Sequence, residues 1–169
     1  MAVTDTDYNS TLALTDVFDA GVPQDSGGVD QNGVPQGNLV SAMGSYVTNF
    51  NLLNAKLDLD GGVTGVDYAT LCNLSALGDA GYKITSNGLR QDLEATFLEA
   101  IETKFEVLTA KLDADGGVGD TTYGSLWNFN LDSTLISGNG IQDQGDVVDY
   151  LNTVYTAFNG VLVKLDADS

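Results

Sequence analysis

Histidine is absent from this chain, and cysteine occurs once, at Cys72. Without an imidazole there is no Ser-His-Asp type triad, no His general base and no His-ligated zinc. Cys72 cannot form an internal disulfide. With no imidazole to activate its thiol, it reads as a small buried apolar residue. Basic residues are scarce as well: six Lys and Arg against 24 Asp and Glu give a formal net charge of −18 and a pI near 4.1. Such a surface repels phosphate backbones and anionic lipid, which excludes nucleic-acid and membrane-surface binding and leaves neutral or basic protein surfaces, or cations, as partners. No apolar run approaches the roughly 18 residues that span a bilayer. The opening stretch "MAVTDTDYNS" has neither the basic region nor the apolar region of a signal peptide, so synthesis in the cytoplasm is expected. Proline occurs twice and glycine 20 times, so the chain turns often.

What is present is enough for one domain: 169 residues, 43% of them apolar. The informative feature is self-similarity. "NAKLDLDGGVTGVDYATL" at 54–71 matches "TAKLDADGGVGDTTYGSL" at 109–126 almost position for position. The chain also begins with the second half of this motif, "VTDTDYNSTL", and ends with its first half, "VKLDADS". A single domain, 1–169, therefore parses into three internal repeats: 3–62, 63–117 and 118–169. Each opens on V-x-x-x-x-Y and closes on K-L-D-x-D.

Ahead of each K-L-D runs a helical period. Met43, Tyr46, Phe50, Leu53 and Leu57 are spaced 3, 4, 3, 4; so are Leu98, Ile101, Phe105, Leu108 and Leu112, and again Leu151, Val154, Phe158, Val161 and Leu165. These are a/d seams of the coiled-coil type. Phe50, Phe105 and Phe158 hold equivalent positions and are expected to meet in one layer. Gln36, Gln91 and Gln144 stand at equivalent places near the helix starts. Gly61–Gly62 and Gly116–Gly117 supply the stops. In the first unit Gly44 interrupts the helical pattern. The connections, about 25–30 residues, far exceed the 2–8 typical of an antiparallel bundle and are long enough to run back along a helix. The expected fold is mainly α with short β or extended segments: three repeats forming a pseudo-threefold, parallel three-helix coiled-coil bundle. Over the helices, "TLALTDVF", "TLCNLSAL" and "SLWNFNLD" alternate apolar with polar, the period of short β elements. Tyr8, Tyr68 and Tyr123 correspond there, as do Leu12, Cys72 and Trp127, then Leu14, Leu74 and Phe129.

Chemistry finds little purchase on this pattern. "AKLDADGGVGDTTY" resembles a calcium loop, yet counting from Asp113 puts Gly117 at position 5 and Gly124 at position 12, where an EF-hand needs an oxygen ligand and a bidentate Glu. Counting from Asp58 puts Gly62 and Ala69 there. The aspartates read instead as groups that solvate a helix end and shape its turn by Asx-type bonds. Glu94, Glu99, Glu102 and Glu106 are the only cluster suited to paired-carboxylate catalysis, and the last three follow helical spacing off the seam, as a solvated face does. Lys56, Lys111 and Lys164 sit where a helix C-terminus favours a cation. The Gly-rich stretches lack the G-K-[ST] ending of a phosphate loop. No catalytic, cofactor-binding or metal-ligating residue is assigned, and the chain is expected not to be an enzyme. Trp127 and Tyr82 are aromatic candidates for an interface and equally for the core.

The repeated "AKLDADGGV" followed by D-T-x-Y resembles a short motif found in virion structural proteins of tailed bacteriophages, particularly aquatic ones. The resemblance carries no catalytic residue. It implies a virion component made in the host cytoplasm, and within that class a capsid decoration or cement protein. Such a protein would bind the outer surface of the major capsid protein, and other copies of itself are a further expected partner. A tail, fibre or head-to-tail adaptor component is the nearest alternative; an acidic cation-binding or adhesion module, and a carboxylate-dependent hydrolase, are others.

Overall fold

In the computed structural model of the protein the described residues are 2–14, 36–74, 84–85, 88–89, 91–126, 136–137, 140–141 and 144–168, with side chains described in 2–14, 42–74, 97–126 and 150–168. The fold is mainly helical. Three helices of 24 residues each dominate it: α2 (Gln36–Leu59), α4 (Gln91–Ala114) and α5 (Gln144–Ala167). All three begin at the equivalent glutamine. The interruption expected at Gly44 does not occur: α2 runs through it, and the Thr48 hydroxyl donates to the Gly44 carbonyl across one turn (2.9 Å).

Every seam residue named above is buried, from Met43 to Leu57, Leu98 to Leu112 and Leu151 to Leu165. They join one continuous core. At its middle the Phe50 ring lies 6.3 Å from Phe105 and 6.4 Å from Phe158, centroid to centroid, with Tyr46 edge-on to Phe158 at 5.6 Å. Rings at these separations add roughly 0.5–1.5 kcal/mol per pair beyond their burial. A second level of contact ties backbone to side chain between helices: the Tyr155 hydroxyl donates to the carbonyl of Ala42 (2.7 Å).

α2 and α4 end where the glycines are. The Asp60 N–H still donates to the Lys56 carbonyl, and the Val63 N–H then closes the Gly61–Gly62 turn on the Asp60 carbonyl (3.2 Å). Val118 closes the Gly116–Gly117 turn on Asp115 in the same way (3.2 Å). Val63 and Val118 tuck into the core just beyond, as Val3 does ahead of α1.

The covering segments depart from expectation. Instead of short strands they open on single turns of helix: α1 (Tyr8–Leu12), α3 (Tyr68–Leu71) and a 3-10 turn at Tyr123–Leu126. The alternating pattern holds where the segments are described: Leu12 and Leu14 are buried around an exposed Ala13, and Cys72 and Leu74 around an exposed Asn73, while 15–18, 75–77 and 127–132 lie outside the described residues. A turn forms first because a carboxylate from a neighbouring helix caps it, as described below. β structure among the described residues is confined to two antiparallel pairs of two residues, β1 (Ile84–Thr85) with β2 (Gly88–Leu89) and β3 (Ile136–Ser137) with β4 (Gly140–Ile141), each just ahead of a long helix. Trp127, Phe129 and Tyr82 lie outside the described residues. No helix among the described residues is long and apolar enough to cross a membrane.

Candidate functional site

The charged residues of K-L-D-x-D converge with the covering turns, and their geometry explains the motif. Its first aspartate caps the next turn. Asp166 accepts the N–H groups of Tyr8 (2.7 Å) and Asn9 (3.0 Å); Asp58 accepts those of Tyr68 (2.7 Å) and Ala69 (3.0 Å); Asp113 accepts those of Tyr123 (2.6 Å) and Gly124 (2.9 Å). The first N–H groups of a helical turn have no partner within it, and a carboxylate satisfies them while favouring the local dipole. Here the cap comes from another helix, in the case of Asp166 and Tyr8 from 158 residues away.

The second aspartate is an acceptor hub. Asp60 takes the Thr4 N–H (2.9 Å) and hydroxyl (2.6 Å), the Asp5 N–H (3.0 Å), the Gly62 N–H (2.8 Å) and the Tyr8 hydroxyl (2.9 Å). Asp115 repeats this with Thr64 N–H (3.0 Å) and hydroxyl (2.5 Å), Gly65 (2.8 Å), Gly117 (2.9 Å) and the Tyr68 hydroxyl (3.0 Å). The Gly62 and Gly117 bonds are the expected Asx turns. The expected solvation is not found, because Asp60 and Asp115 are only 8% and 9% exposed. Asp168 accepts the Asp120 N–H (3.3 Å) and the Tyr123 hydroxyl (2.6 Å). The third unit has Gly119 where Thr4 and Thr64 stand, so the hydroxyl donor is missing there.

Electrostatics follow from these partners. Burial pushes the Asp60 and Asp115 carboxyls up, but hydroxyl and amide donors outweigh it and hold both well below the usual carboxylate range. The same burial, with an anionic acceptor at the hydroxyl, drives Tyr8, Tyr68 and Tyr123 far above an ordinary phenol. Burial also raises the Cys72 thiol to about 11, which favours its neutral form near pH 7.

The lysines are more than dipole complements. Lys56 pairs with Asp5 and with Asp7 (2.6 Å), Lys111 with Asp67, and Lys164 with Asp120 and the Thr122 hydroxyl (2.6 Å). Each ammonium also lies over the ring of its unit's tyrosine, 4.7 Å from Tyr8, 4.4 Å from Tyr68 and 5.0 Å from Tyr123. Sequence reasoning missed this pairing. Its signal was present, since Lys and Tyr recur together in every unit.

Farther along, Asn51 makes two bonds to Leu74 (2.8 and 2.9 Å) and Asn159 two to Leu14 (both 2.9 Å), zipping the covering segments down. Glu106 holds the equivalent place in α4. Glu99 and Glu106 are exposed and Glu102 half-buried, as a solvated face requires; the side chain of Glu94 lies outside the described residues. Among the described residues no three acidic or sulfur side chains are grouped to hold a metal ion. The motif carboxylates point their oxygens at N–H and O–H donors. Chemically, the arrangement clamps polypeptide.

No protein-family model matches the chain, and neither a curated protein nor a solved structure is significantly similar to it.

Proposed function

We propose that the three units form a parallel bundle with pseudo-threefold symmetry, and that this scaffold is a non-enzymatic virion component: a decoration or cement protein seated on the outer surface of a capsid. The observation that carries the reading is the recurrence of one clamp at three sites around one aromatic layer. Phe50 touches both Phe105 and Phe158 at the same helical level, which parallel helices in register require. A scaffold of this symmetry suits a position where three lattice subunits meet, because similar contacts then repeat. The net charge of −18 favours a basic capsid patch over nucleic acid. The repeated motif's likeness to phage virion proteins points the same way, and the major capsid protein is the partner it implies.

Protein composition of purified particles tests the reading. Decoration predicts a copy number that scales with the capsid lattice and a shell that loses thermal stability when the protein is stripped, since a ligand of the assembled state stabilises it. A few copies per particle would move the protein to the tail or the head-to-tail junction.

A further inference from the structure

The three units differ on their outer faces: apart from Val66, Leu71, Val107 and Val163, exposed on the other two units, a pair of leucines stacks on α2. Leu52 and Leu59 point outward, 51% and 86% exposed, one above the other at a spacing of seven. The equivalent residues are Val107 and Ala114 in α4, and Gly160 and Ala167 in α5. Large apolar side chains at both positions are therefore no requirement of the repeat. In the third unit Leu126 of the covering turn packs against Gly160, its methyl carbons 3.7 and 3.8 Å from where a Cβ there would lie. In the first unit Thr11 stands where Leu126 stands, and Leu52 remains half exposed. Between α1 and α2 this leaves an open groove of about 580 Å³, its apolar lining supplied by Leu12, Leu52, Ala55 and Leu59.

The groove's edge is acidic. Asp5 lines it, and with the adjacent Asp7 it sets two partly exposed carboxylates against the single charge of Lys56, while Asp60 at the same edge is buried under its own donors. Lys56 is held by Asp5 and Asp7 and offers no free cation to the groove. We infer that this groove is a docking site for a basic segment of a partner protein, which inserts one aliphatic side chain against Leu52 and Leu59 while flanking Lys or Arg residues meet Asp5 and Asp7. A second copy of the chain fits poorly. Two molecules at −18 repel, and a patch of two leucines falls far short of the roughly 1,600 Å² that a stable dimer buries. The inference deepens the docking reading above and rests on it for the existence of a basic partner. It places the leucine pair of that contact on the first unit.

Methyl NMR of the full chain tests it with synthetic peptides as probes: a leucine flanked on both sides by lysines, the same with glutamates, and the lysine peptide with a central alanine. The expected result is saturable shifts of the Leu12, Leu52 and Leu59 methyls with the lysine–leucine peptide and weaker binding of the alanine peptide. The glutamate peptide should not bind. Leu52→Gln with Leu59→Gln, exposed changes that leave the amide spectrum folded, should weaken the lysine–leucine peptide about tenfold or more. Shifts spread over the acidic surface and indifferent to the double change would overturn the inference, as would no saturable shift at all. Sedimentation showing a dimer that the double change dissolves would overturn it in favour of self-association. Particle copy number is measured separately, so a tail-like count would retire the capsid reading and leave this result standing, and the reverse.

Discussion

Asp60 and Asp115 each gather five donors on two oxygens, whereas the bonds found at Asp168 number two. Removing a carboxylate strands its donors, and a hydrogen bond to a charged group contributes about 1.5–3 kcal/mol. Asp60→Ala and Asp115→Ala are therefore expected to lose about 3 kcal/mol or more in urea unfolding, and Asp168→Ala about half of that. Acid should act through the same groups. Both carboxyls are held below the value of about 3.9 of an unfolded Asp, so their stabilisation is complete above that value and is lost as pH falls toward the folded one. Self-repulsion works in the other direction, easing as pH falls to the pI of 4.1. The melting temperature should accordingly rise gently from pH 7 to about 5 and drop below about 4, with a shallower drop in Asp60→Ala. Among the described residues, some buried polar atoms are left without a partner. The Tyr46 hydroxyl and the Asn54 Oδ1 are buried without a hydrogen-bond partner. Tyr46→Phe should raise stability by about 1 kcal/mol in the same urea assay, whereas Asn54→Leu, in imitation of Leu162, also removes the amide donor of the Cys72 carbonyl (3.5 Å) and should change stability by less than about 0.5 kcal/mol.

At the scale of the element, the glycine pairs that end α2 and α4 are not equivalent within themselves. A Cβ on Gly117 would lie 1.9 Å from the Gly62 carbonyl oxygen, and one on Gly62 equally close to that of Ala2, whereas a Cβ on Gly116 meets nothing within 4 Å. The obstacle is backbone, which cannot swing aside as a side chain does. Gly62→Ala and Gly117→Ala should each cost about 2 kcal/mol or more in chemical denaturation. Gly116→Ala should stay within about 0.5 kcal/mol of wild type. This inequality could not be read from the "GG" dipeptide, because it depends on which turn rests on which. The long helices were legible, since a seam such as Leu98 to Leu112 needs only local periodicity and a stop. The covering turns were not. Tyr8 begins a helical turn because Asp166, at the other end of the chain, takes its N–H, and no local window contains that cap. Alternation at Leu12 and Leu14 is present in the fold, directly after the capped turn. The aspartates looked like ligands or solvated groups for the same reason: their donors, such as Thr4 for Asp60, lie more than fifty residues off.

On the scale of the whole molecule, the first and third units are in contact. Residues 8–14 are bound to α5 through Asp166 and Asn159 and to α2 through Asn49, whose amide donates to the Leu12 carbonyl (2.8 Å). An open tandem array would join each unit only to its sequence neighbours, and such arrays can unfold from one end. Here every covering segment is clamped by two helices, and one core runs through all three units. Loss of any unit exposes the Phe50 layer to water and strips a cap from the next. Unfolding should therefore be a single transition, with calorimetric and van't Hoff enthalpies equal and with far-UV and tyrosine signals coincident. Asp166→Ala provides the contrast. It removes the cap on Tyr8 and Asn9 that joins the chain's two ends, while leaving the five donors of Asp60 in place. If the fold is held together by its core, the transition of this variant should shift to lower temperature by a few degrees and stay single. Were the closure instead the source of cooperativity, the same change would split the transition in two, with the first step confined to the α1–α5 contact.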